Sequence, residues 1–236
     1  VARGRKRTPG EPAGKPDRPP SVSPLSLHRI SFYLRCLKTL EDEGVQRISS
    51  QELARRFHLS APQIRKDLAQ LGEFGIRGVG YETSHLRQHL SSLLGLDRLH
   101  RMIIVGMGNL GSALARYFGF NSGAFLVVAG VDRDPGKVGL RVGDFTIRHT
   151  REVADVVRES GAEIGVLAVP ADVAQEAHDE LAAAGIRGVI NFSPSRIRPA
   201  PGVQLKDVDL RIHLEELAYF LETRRRSAPE SDGAAG

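Results

Sequence analysis

The stretch "VGMGNLGSALARYFGF", Val105 to Phe120, decides how the second half of the chain folds. Gly106, Gly108 and Gly111 stand as G-x-G-x-x-G, directly after the apolar run "RMIIV" (101–105) and directly before a segment of helical periodicity. In that setting each glycine has a task. Gly106 permits a tight turn, Gly108 lets the backbone approach a pyrophosphate, and Gly111 lets the helix pack closely on the strand. The helix start also offers free amides and the positive end of a dipole, which suit an anion. The whole turn, Gly106, Met107, Gly108, Asn109, Leu110 and Gly111, is thus a candidate dinucleotide cradle.

The segments around it fit the same reading. "FLVVAGV" (125–131), "IGVLAV" (164–169) and "RGVINF" (187–192) are further unbroken apolar runs, and helices fit 109–118, 150–160, 172–185 and 212–225. Apolar strands alternating with helices predict a parallel sheet covered on both faces, a Rossmann-type doubly wound α/β unit over 99–208. Asp132 ends the second strand, where a carboxylate would hold a ribose and repel a 2′-phosphate. This favours NAD+ and NADH over their phosphorylated forms. Its distance from Gly106 exceeds the usual ~20 residues, and Arg133 beside it offers a phosphate partner. Val169 and Pro170 in "AVP" and Phe192 in "NFSP" sit at two further strand ends, towards the expected nicotinamide half. Prolines also simply end strands, and that reading stands beside the functional one.

Upstream, residues 25–98 read as mostly helical. Ile30, Leu34, Leu37 and Leu40 predict a helix near 26–43 that stops at Gly44. "SSQE" (49–52) reads as a capping box and "SAPQ" (60–63) as a second N-cap. Two short helices joined by a three-residue turn are helix-turn-helix spacing. With Ile64 and Leu68 inward, the second helix turns Pro62, Gln63, Arg65, Lys66, Ala69 and Gln70 outward. Gln63, Arg65 and Lys66 lie near its N-terminus, where recognition helices meet base edges. "GIRGVGY" (75–81) suits a hairpin with Arg77 at its tip, the wing of a winged helix, and "HLRQHLSSLLGL" (85–96) a further helix. A small helical unit with a solvated charged face is the plainer alternative.

Composition agrees with this division. The 236 residues are 41% hydrophobic and 26% charged, with a net charge of +5. Residues 1–20 carry six Lys or Arg against two acids, 21–98 eleven against eight, and 99–236 sixteen against eighteen. The excess positive charge lies in the N-terminal part, favouring an anionic partner there. Residues 1–24 and 227–236 read as disordered tails, the first basic and Pro-rich. No apolar run suits a membrane span and no apolar leader is visible, so a cytoplasmic protein is expected. The single Cys36 excludes an internal disulfide and a cysteine-rich metal site. Its apolar surroundings suggest a buried inert thiol, with a redox-active one as the other reading. No Ser/His/Asp or metal-ligand constellation is visible. His149, His178 and His213 fall outside the expected strand ends and His100 precedes the first strand, so the chain reads as a sensor rather than an enzyme. An NAD-dependent oxidoreductase with an accessory helical domain is the alternative.

Across residues 25–225 the chain resembles the bacterial Rex family of redox-sensing repressors, through "YLRCL", "SSQELA", "IRKDL", "GIRGVGY", "VGMGNLGSAL", "DPGKVG", "AAGIRGVINFSP" and "DVDL" in that order. The family's frequent "DFSYFG" is replaced by "DLAQLG" at 67–72. The resemblance implies a homodimer with a winged helix, a Rossmann domain and a C-terminal helix (209–226) swapped onto the partner. It implies binding to palindromic operator DNA that NAD+ permits and NADH ends. It also implies a switch formed by Arg35, Tyr117 and Asp209.

Overall fold

The computed structural model describes residues 22–72, 74–76, 78–121 and 123–227. The chain forms two compact units, divided between Asp97 and Arg98.

The first unit is a winged helix. Helix α1 (Pro24–Asp42) begins where Ser23 accepts a hydrogen bond from the Ser26 amide, with Pro24 in the first turn. This start is two residues earlier than the periodicity predicts, and Val22 packs on the core, so 22–24 are ordered rather than part of a tail. Strand β1 (Arg47–Ile48) leads to α2 (Ser50–Phe57) and α3 (Ala61–Ala69). Ser49 caps α2 by accepting from the Glu52 amide, but the reciprocal half of the capping box is not made. The Glu52 carboxylate instead accepts from Arg55 and Arg56, whose hydrogen bonds, aided by their charges, hold it down at about 2. The turn into α3 passes through His58 in the left-handed region (φ 54°), and Ser60 caps α3. Strands β2 (Gly75–Ile76) and β3 (Gly80–Glu82) form the expected hairpin, and β1 pairs with β3 to give the sheet order β1-β3-β2. Helix α4 (Thr83–Leu93) closes the unit. Ile30, Leu37, Leu40, Leu53, Ile64, Leu86 and Leu90 are almost fully buried in one core. Arg77, most of the basic tail and residues 228–236 lie outside the described residues.

The second unit is a doubly wound sheet. It contains β4 (His100–Val105), α5 (Asn109–Arg116) and β5 (Phe125–Asp132). A small hairpin, β6 (Arg141–Val142) and β7 (Phe145–Thr146), precedes β8 (Arg148–His149) and α6 (Val153–Ser160). Then come β9 (Ile164–Leu167), α7 (Ala174–Ala183), β10 (Gly188–Asn191), β11 (Gln204–Asp207) and α8 (Leu210–Ser227). Six strands are parallel in the order β11-β10-β9-β4-β5-β8. The order reverses between β4 and β9, and such a point opens a crevice beyond the strand ends. Ile103, Val105, Val131, Leu167 and Val189 face one apolar layer, while Met102, Ile104, Val127 and Val166 face the other.

Candidate functional site

The crevice is a cleft of about 650 Å³ at the carboxyl ends of β4, β5 and β9. Gly106, Gly108, Asn109 and Leu110 form one wall, and Ala168, Val169 and Pro170 another. Asp132, Arg133, Lys137, Thr150, Glu176 and Glu180 complete it. Gly106 and Gly111 take up the tight turn and the close packing that their spacing predicts. Gly106 has φ +91°, and a β-carbon there would lie 2.5 Å from the Ala168 carbonyl oxygen. A β-carbon on Gly111 would run into the Gly106 carbonyl. One on Gly108 would meet nothing within 4 Å, because that position faces open cleft. A dinucleotide's phosphates fit there: the backbone is bare, and the exposed residues Asn109 and Leu110 open the helix.

Asp132 is buried, and its carboxylate is built into the turn. Oδ2 accepts from the Met107 amide at 2.8 Å and from Lys137 Nζ at 3.1 Å, and Oδ1 accepts from the Asp134 amide at 2.9 Å. Burial raises its pKa, but the two amides and Lys137 outweigh that and hold it below the usual carboxylate range. Asp132 therefore pins the Gly-rich turn to the end of β5, alongside the Gly106 amide bonded to the Val131 carbonyl. Sequence reasoning places this carboxylate on a ribose without anticipating that bracing role. It also passes over Lys137, which stands in the quoted "DPGKVG", and Glu176 and Glu180, whose i, i+4 spacing puts them on one face of α7.

Two side chains of the expected set point elsewhere. Met107 is 2% exposed and packs into the apolar layer under α5, so only its backbone belongs to the turn. Phe192 follows the buried end of β10, is half-buried against the same layer and is not among the residues lining the cleft. His149 corrects another expectation. The short β8 places it at a strand end, paired with Asp132, although its ring caps the following turn by accepting from the Arg151 amide.

In the first unit, α3 presents Pro62, Arg65, Lys66, Ala69 and Gln70 outward, and Gln63 is half-buried. Arg65 Nη1 donates to Ser50 Oγ at 3.1 Å, which steadies it beside α2. Gln63 donates to Asp67, a buried carboxylate that the sequence reading left unassigned. Arg35 is exposed on α1. In the second unit Tyr117 is 57% exposed at the end of α5, with its ring edge-on to Phe120, and Asp209 caps α8 by accepting from the Arg211 amide. No hydrogen bond joins Tyr117 to Asp209 among the described residues.

A family model described as "CoA binding domain" matches residues 97–195, and one described as "Putative DNA-binding protein N-terminus" matches 21–69. The redox-sensing transcriptional repressor Rex of Streptomyces coelicolor is 39% identical over 91% of this chain and 83% of its own length. The repressor Rex 1 of Thermotoga maritima is 41% identical over 85% of this chain and 96% of its own. Among solved structures, RSP in complex with beta-NAD+ and operator DNA matches with a TM-score of 0.83. It is 34% identical and covers 91% of this chain and 99% of that one. RSP in complex with beta-NADH matches with a TM-score of 0.78, at 34% identity over 87% and 96%.

Proposed function

The chain belongs to the Rex family of redox-sensing transcriptional repressors, and we propose that it works as one, with α3 and the wing holding operator DNA until NADH at the Gly-rich cleft ends the complex. The observation that carries this reading is that one chain joins an outward cationic helix to a cleft with Gly108 open and Asp132 held ionised. On this reading Gln63, Arg65, Lys66 and Arg77 meet DNA. Gly106 to Gly111, Asp132, Val169 and Pro170 surround NAD+ or NADH. Phe192 acts only by packing beneath them.

The ionised Asp132 is a poor neighbour for a ribose phosphate, which favours NAD(H) over NADP(H) and over coenzyme A with its 3′-phosphate. NADH and NAD+ differ by one positive charge and by the planarity of the nicotinamide, and a sensor must bind them differently in its two states. Arg35, Tyr117 and Asp209 are our candidates for reporting the difference, with Asp209 pairing with Arg35 in one state and Tyr117 in the other.

Helix α8 supports a homodimer. Leu210, Leu214, Leu217 and Leu221 recur along it at helical spacing and are 59% exposed or more. An apolar stripe of that kind needs a cover, and a swapped second copy supplies one. A two-fold dimer then calls for a palindromic operator, with half-sites one or more helical turns apart. Among the described residues no helix is long and apolar enough to cross a membrane, and a repressor of this kind would act in the cytoplasm.

Fluorescence anisotropy on a labelled operator duplex tests the proposal. NADH should release the protein, and an excess of NAD+ should restore binding. Release by coenzyme A instead, or turnover of NADH with small carbonyl compounds, would overturn it; the second result would favour the oxidoreductase alternative.

A further inference from the structure

Asp67 lies on α3 and is only 2% exposed, yet it carries a charge. Four donors meet it. Arg29 binds as a fork, Nε to Oδ2 at 2.6 Å and Nη2 to Oδ1 at 2.8 Å. Tyr33 donates its hydroxyl to Oδ2 at 2.9 Å, and Gln63 donates Nε2 to Oδ1 at 2.9 Å. Arg29 Nη2 also reaches Ser26 Oγ at 3.1 Å, so the fork itself is held. The Arg29 fork, with Tyr33 and Gln63, outweighs burial and keeps the carboxyl below its usual range.

A buried ion pair adds little net stability over an apolar pair of the same volume, but it is demanding about geometry. Ile64 and Leu68 already seat α3 on the core. The clamp adds a fixed rotation of α3 about its own axis, because Arg29 and Tyr33 both stand on α1. It also settles the side-chain amide of Gln63. An ionised carboxylate can only accept, and within the glutamine amide only Nε2 carries hydrogens, so Nε2 faces Asp67 and Oε1 becomes the other end of the amide. Among the described residues no donor reaches Oε1.

We propose that Asp67 is a positioning residue for operator reading: by holding Gln63 Nε2 it leaves Gln63 to offer Oε1, an acceptor, to the major groove. Gln63 then selects a base carrying an exocyclic amino group there, adenine N6 or cytosine N4, at one position of each half-site. A free glutamine would bind adenine through both ends of its amide. The clamped one favours an amino group without needing the neighbouring acceptor. This inference rests on the reading of α3 as the DNA-reading helix.

The test is selection from a random duplex library by the full chain, followed by competition binding at each position of the enriched motif. The parent should prefer adenine or cytosine over guanine and thymine, by roughly tenfold, at one position per half-site. Asp67→Asn removes the charge and lets the Gln63 amide turn over. It should lose or reverse that one preference while the rest of the motif and NADH binding stay as in the parent. Gln63→Ala leaves the clamp of Arg29, Tyr33 and Asp67 in place and should erase the same preference. It also keeps the test decisive if Asp67→Asn fails to fold. Tyr33→Phe, which leaves the Arg29 fork intact, should keep the preference. If Asp67→Asn weakens every sequence equally, or Gln63→Ala keeps the discrimination, the positioning role is overturned. If the parent enriches no sequence at all, the DNA-reading function fails with it, a result distinct from either.

Discussion

The two units earn their binding surfaces in opposite ways. The winged helix offers side chains, with Arg65 and Lys66 exposed on a helix whose inner face fills a core. The doubly wound unit offers backbone, with bare Gly108 and a helix start, pinned by a buried carboxylate. A surface of side chains tolerates change residue by residue. A surface of backbone does not, because any β-carbon becomes part of the site. The first unit should therefore respond to substitution in graded steps and the second in all-or-none fashion.

Gly108→Val is the sharpest way to break this contrast. Its new side chain meets open cleft rather than protein. The fold should hold, with a melting temperature within ~4 °C of the parent, the shift that about 1 kcal/mol causes in a domain of this size. Calorimetric NADH binding should vanish, and operator binding should become insensitive to NADH. Gly111→Ala, three residues on, should instead destabilise the second unit by ~2 kcal/mol or more, since its β-carbon strikes the Gly106 carbonyl. A Gly108→Val protein that binds NADH as the parent does would show that the cradle lies elsewhere.

Lys66→Ala and Arg65→Ala should each weaken operator binding by about 1–3 kcal/mol. Neither should alter NADH affinity, and a gel shift that leaves both variants equal to the parent would remove α3 from the interface. The Lys66 side chain is exposed, with no hydrogen bond or ion pair among the described residues, whereas that of Arg65 also bonds Ser50. Ser50→Ala should accordingly cost less than Arg65→Ala.

The coupling between units should be subtler. Tyr117→Phe and Asp209→Ala should bind NADH nearly as well as the parent but need more of it to leave DNA. A coupling of about 1–3 kcal/mol corresponds to a 5–150-fold change. Parent-like release by both variants would mean that the redox difference is reported by other groups.

The effect furthest from both binding surfaces concerns Cys36, buried in the core of the first unit. Burial pushes its thiol up to about 11, so little thiolate is present near neutral pH. Alkylation of the native protein at pH 8 should run about a hundredfold slower than that of a free thiol. Rapid modification without loss of structure would revive a redox role for it.

Features written within a few residues of one another were legible. The N-caps Ser49 and Ser60, the outward set around Lys66, the Gly75–Tyr81 hairpin and the three glycines all depend on helix, strand or turn periods, which the chain carries locally. Four strands of the large sheet were legible because each is a long apolar run. The edge strands β8 and β11 were not, because an edge needs only a few residues and part of it faces water. The same limit hid the side-chain partners. Arg29 and Asp67 lie 38 residues apart, and Met107 and Asp132 lie 25 apart. No local spacing encodes such pairings. The sequence by itself determined where the outward cationic helix α3 and the Gly-rich turn lie. Only the tertiary structure decided that Asp67 is a clamp, that Asp132 braces the turn and that Phe192 faces the core. Burial and the direction of a side chain arise only when distant segments pack.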